Sequence, residues 1–78
     1  MNVKVRFFAS MRDRMGRAED EVSVSGDSVT VSDVWAQVAA GQPMPDSTLI
    51  AINMEYTDSE ALVKDGDEVA FFPPVTGG

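Results

Sequence analysis

Apolar and polar residues alternate from Asn2 to Ala9, with Val3, Val5 and Phe7 on one side and Lys4, Arg6 and Phe8 on the other. A period of two predicts a half-buried strand. Ser10 stands where it can cap a short helix through Met15, with Asp13 in its first turn and Gly16 free to end it. Met11 and Met15, four apart, would cover the edge of the core. Glu21 to Ser25 predicts a second strand with Val22 and Val24 inward, and Ser25-Gly26-Asp27-Ser28 a turn. The period then lengthens. Val31, Val34, Trp35 and Val38 follow i, i+3, i+4, i+7 spacing, the stripe of an amphipathic helix whose Trp35 reads as core. Thr30, with Asp33 three residues on, would cap that helix, and Ala39 and Ala40 would carry it to Gly41 at C′.

Beyond a rigid Gln42-Pro-Met-Pro-Asp46 loop, Thr48 to Asn53 predicts a third strand, Leu49 and Ala51 alternating against Ile50 and Ile52. Asn53 sits where a left-handed turn residue is expected, and Tyr56 starts a short edge strand. Asp58-Ser59-Glu60 would open a helical turn that packs Leu62 or Val63 beneath the final hairpin. After an Asp65-Gly66-Asp67 turn, Glu68 to Phe72 forms the last strand, with Val69 and Phe71 on one face and Ala70 and Phe72 on the other. This order, β-β-α-β-β-β, suits an α+β, β-grasp sheet curled around one main helix, with the first and last strands side by side in the middle. Phe7 and Phe71 then face the helix and Phe8 and Phe72 face outward. Two outward phenylalanines beside Ala70, Arg6 and Pro73 form an apolar patch of the kind that marks a protein interface.

The chain has 78 residues, 44% of them apolar, enough for a single folded domain over 1–78 with a small core and a flexible tail from about residue 75. No run approaches the ~20 apolar residues of a membrane span, which predicts a soluble, cytoplasmic protein without a membrane partner. There is no Cys and no His, so thiolate and imidazole chemistry are excluded from its side chains. Carboxylates alone would have to hold a metal, and no calcium-loop spacing occurs, so no metal site is expected. The formal charge of −7 argues against nucleic acid. Five of the six basic residues precede residue 18, whereas twelve of the thirteen acids lie from Glu19 onward. That asymmetry could orient docking on a basic partner or simply keep the surface solvated.

Pro73 and Pro74 end the last strand and hold its exit extended, and Gly77 and Gly78 follow. A slim end of this kind can thread a narrow channel. Its carboxylate is ionised at neutral pH and can attack an activated phosphate, giving a mixed anhydride open to a second nucleophile. A frayed end is the competing reading of two glycines alone. The strand before them favours a tail aimed from a fixed base.

Asp65-Gly-Asp-Glu-Val-Ala-Phe-Phe-Pro-Pro-Val-Thr-Gly-Gly78 resembles the ending of the small, sulfur-carrying subunits of molybdopterin synthase, and Val3-Lys-Val-Arg-Phe-Phe-Ala9 resembles their first strand. These proteins have the ubiquitin-like β-grasp fold. The resemblance implies that an E1-like adenylyltransferase consumes ATP to adenylate Gly78, and that a persulfide donor converts the adenylate to a thiocarboxylate. It implies further that Gly77 permits threading, that Val75 and Thr76 line the tail's path, and that sulfur passes to a cyclic pyranopterin inside the large subunit of a heterotetrameric synthase. No permanently bound cofactor is expected. Two alternatives stay open: the sulfur carrier for thiamin's thiazole, and a ubiquitin-like protein modifier or tRNA-thiolation protein, which shares the tail chemistry as far as the adenylate.

Overall fold

The structure, a computed structural model, describes residues 1–45 and 47–74. Its first strand, β1 (Asn2–Phe7), buries Val3, Val5 and Phe7 and leaves Asn2, Lys4 and Arg6 exposed, as the alternation requires. Helix α1 (Ser10–Met15) follows at once. Ser10 is its first residue and not its cap. Ala9 holds the cap position at φ 53° without a side-chain bond, because the amides of Met11 and Arg12 reach back to the Phe8 and Ala9 carbonyls. Gly16, at φ 75°, ends the helix as expected.

Strand β2 (Glu19–Ser23) starts two residues before the expected Glu21. Its antiparallel register on β1 sets both ends, from Arg6 opposite Glu19 to Asn2 opposite Ser23. Beyond Ser23 the partner strand has run out, although Val24 still exchanges two bonds with Met1 and is buried. The main helix, α2 (Val31–Val38), carries the full capping box, in which Asp33 N donates to the Thr30 hydroxyl and Thr30 N to the Asp33 carboxylate. All four stripe residues are buried. The helix closes earlier than expected, since Ala40, at φ 50°, takes the left-handed position assigned to Gly41. At this end the Arg17 guanidinium donates to the Val38 carbonyl at 2.7 Å and so supplies a partner for a carbonyl the helix leaves open.

Strands β3 (Leu49–Ile52), β4 (Glu55–Thr57) and β5 (Glu68–Phe72) complete a five-stranded mixed sheet in the order β2-β1-β5-β3-β4. β1 and β5 pair in parallel at its centre, and β3 is antiparallel to both β5 and β4. This is the β-grasp arrangement. Phe7, Phe71 and Trp35 form its aromatic centre, with Trp35 5.0 Å from Phe71 and 6.5 Å from Phe7 between ring centroids. The expected turn at Asp58 is a single one, with Ala61 N donating to the Asp58 carbonyl at 3.3 Å, and it does not extend into a helix. The Asp58 carboxylate accepts from Glu60 N at 2.9 Å, a local bond that competes with helix formation. A bridge between Thr30 and Leu62 then leaves Leu62 exposed and buries Val63 in the core.

Candidate docking face at the base of the tail

Strand register builds the outward face. Arg6 lies beside Ala70, Ala70 beside Ala51, and Ala51 beside Tyr56, so one row of side chains crosses four strands. In the next row Phe72 stands opposite Leu49. Phe8 lies just past the end of β1, where its amide donates to the Phe71 carbonyl at 3.2 Å and keeps it in line with β5. The Phe8 and Phe72 rings meet edge to face at 6.3 Å, and Tyr56 approaches Phe72 from the other side at 5.7 Å. Flanked in this way Phe72 is half-buried, whereas Phe8 is 44% exposed and Tyr56 73%.

Arg6 is held over this surface. Its guanidinium carbon lies 5.6 Å from the centre of the Phe8 ring, and its Nη1 is 3.9 Å from a Glu68 carboxylate oxygen. Both partners of that ion pair are well exposed, so the pair fixes geometry more than it stabilises the fold. At the end of β5, Pro73 is half-buried and Pro74 exposed; with Phe8, Ala9 and Phe72 they border an open depression of about 480 Å³. Arg6, Phe8, Ala70, Phe72 and Pro73, singled out in the sequence, thus gather on one face with Pro74 at its rim. Val75, Thr76, Gly77 and Gly78 lie outside the described residues.

The strand that leads to the tail is anchored at its start. Lys4 N donates to the Asp67 carbonyl at 2.9 Å. The Asp67 carboxylate accepts from the Asn53 side chain and from Lys64 N, and Glu68 N donates back to Asn53. Sequence reasoning gave no part in the face to Tyr56, nor to Met54, which borders it beside Tyr56 and Phe72. Tyr56 joins it only through the register that sets it opposite Ala51, which no local pattern reveals. A methionine in the second place of a tight turn was the visible signal for Met54.

Among the described residues no group of three or more Asp or Glu gathers to hold a metal ion, and no helix is long and apolar enough to cross a membrane. The face offers no nucleophile paired with a base. What it offers is a desolvatable aromatic surface beside the exit of β5, suited to seating a protein partner.

A model of the ThiS family matches residues 5–78. The chain belongs to the ThiS family. This ThiS-family chain is 42% identical over 85 residues to the molybdopterin synthase sulfur carrier subunit of Chlamydomonas reinhardtii, with the whole of both chains covered. Its fold superposes on the crystal structure of SAMP1 from Haloferax volcanii with a TM-score of 0.83 at 26% identity, again over both whole chains. It also matches a chain in the complex of subunits 1 and 2 of molybdopterin-converting factor from Helicobacter pylori 26695, with a TM-score of 0.69 at 26% identity and all of both chains covered.

Proposed function

We propose that this chain is the sulfur-carrying small subunit of a molybdopterin synthase. The aromatic face at the exit of β5 is the observation that carries the reading, because it offers an exposed apolar surface directly beside the strand that leads to the tail. Full-length likeness to a sulfur carrier subunit and to a chain in a two-subunit complex supports it.

In this reading the Gly78 carboxylate attacks the α-phosphate of ATP in a cytoplasmic E1-like enzyme and displaces pyrophosphate. The step replaces a poor leaving group with a good one. The terminal sulfur of a persulfide donor then displaces AMP, and a thiol cleaves the resulting acyl disulfide to leave a thiocarboxylate. The large subunit docks on Phe8, Phe72, Ala70 and Arg6 and receives the tail, whose sulfur passes to a cyclic pyranopterin. Pro73 and Pro74 limit the freedom lost on insertion, Val75 and Thr76 lie along the path, and Gly77 keeps it narrow. No cofactor stays bound, and ATP is consumed by the activating partner.

Intact mass after incubation with ATP, the activating enzyme and a sulfur donor tests the loading step. Exchange of one oxygen for sulfur at Gly78 is expected, and an unchanged mass would overturn the proposal. The likeness to SAMP1, a small archaeal modifier protein, favours a second reading, a ubiquitin-like modifier. Isopeptide adducts on lysines of cell proteins, with no dithiolene product formed by the loaded chain and the large subunit, would select it.

A further inference from the structure

Met54 is 93% exposed, the most of any large apolar side chain among the described residues. Its φ is 72° and that of Asn53 is 51°, in a two-residue loop closed by the Ile52–Glu55 pair. Successive positive φ angles are the mark of a type I′ hairpin turn, where Asn-Gly is the favoured sequence because glycine has no Cβ to crowd. Asn53 suits the first position and ties the turn to β5 through its bonds with Asp67 and Glu68. Met54 takes the glycine position, and burial does not compensate its strain. Its side chain borders a shallow depression of about 260 Å³ together with Arg6, Phe8, Tyr56, Ala70 and Phe72.

Ala9 and Ala40 share the positive φ at helix ends. Met54 alone of the three sets a large exposed apolar side chain beside the aromatic face, which points to a contact made outside the chain. We propose that Met54 is a specificity-determining docking residue, covered by the synthase large subunit when the complex forms. The inference rests on the sulfur-carrier reading above. Continuity with the aromatic face selects that occupant, and a flexible thioether suits a surface that must fit a second protein. A second copy of this chain is a poorer occupant, because each copy carries a formal charge of −7.

Calorimetric titration with the purified large subunit, thermal melts and sedimentation of the free chain test this on wild type, Met54→Gly, Met54→Leu and Phe72→Ala. Met54→Gly is expected to raise Tm by about 4 °C by releasing the strain and to weaken Kd about 5–10-fold. Those opposite signs are what a purely structural turn residue cannot give. Met54→Leu, strained and apolar alike, is expected to hold affinity within about twofold. An unchanged Kd or a lowered Tm for Met54→Gly overturns the proposal, as does a free dimer that Met54→Gly dissolves. If Phe72→Ala weakens binding and Met54→Gly does not, this inference alone falls. If neither changes Kd, the docking face itself is misassigned.

Discussion

The rings of Phe8 and Phe72 meet edge to face 6.3 Å apart, on the side of the sheet away from Trp35. Their sequence neighbours Phe7 and Phe71 stack on the other side with centroids 6.1 Å apart. Each Phe-Phe pair therefore gives one ring to the core and one to the surface.

Stability and binding should separate at adjacent positions. Phe71→Ala empties a fully buried site and is expected to cost about 3–5 kcal/mol in chemical denaturation. Phe72→Ala is expected to change stability little and to weaken large-subunit binding by about 2 kcal/mol. Unfolding by Phe72→Ala with retained binding by Phe71→Ala would reverse the assignment.

Arg17 ties three segments together. Its guanidinium donates to Asp20, to the Met15 carbonyl and to the Val38 carbonyl, and lies 5.5 Å from the centre of the Phe7 ring. Arg17→Ala is expected to lose about 1–3 kcal/mol, read as a lower urea midpoint at unchanged slope. Arg17→Lys should recover only part, since an ammonium lacks the planar fork that reaches several acceptors at once. Full recovery by lysine would show that charge alone matters.

Asn53 combines a left-handed backbone with two side-chain bonds to the start of β5. Asn53→Ala is expected to destabilise by about 2 kcal/mol, through lost bonds and an unfavourable φ together. Asn53→Gly restores the φ tolerance and should cost about 1 kcal/mol. Equal losses in thermal melts would assign the whole effect to the hydrogen bonds.

At the tail, deleting Gly78 is expected to abolish ATP–pyrophosphate exchange with the activating enzyme while circular dichroism stays unchanged. Inserting a residue after Pro74 should leave docking intact and slow single-turnover sulfur transfer about 100-fold, because small misplacements of a reacting group are costly. Equal rates for the normal and lengthened tails would show that the spacer does not position the terminus.

Periodicity made most of this legible. The two-residue alternation around Val5 and Val69 and the four-residue stripe ending at Val38 each have one way to bury their apolar side, so strand, helix and face followed. Boundaries were less visible where tertiary partners set them. Ser23 ends β2 because β1 has no residue left to pair, and Ala40 turns left-handed while a distant arginine caps the helix. Ser10 looked like a cap because its chemistry suits one, yet backbone carbonyls did the work. Within the candidate docking face, Phe8, Phe72 and Arg6 were readable from alternation. Tyr56 and Met54 needed the β3–β4 register and the turn geometry, which depend on residues far apart in sequence.

β5 lies between β1 and β3, the only link among the described strands between the β2-β1 and β3-β4 pairs. Without β5 the β2-β1 and β3-β4 pairs share no strand, and closing the long loop between β1 and β5 joins them into one sheet. Pairing of β5 with β1 thus sets the centre of the sheet and the meeting of the Phe8 and Phe72 rings by one and the same register. Any change that loosens β5 is therefore expected to part the two halves of the sheet and to separate Phe72 from Phe8 together.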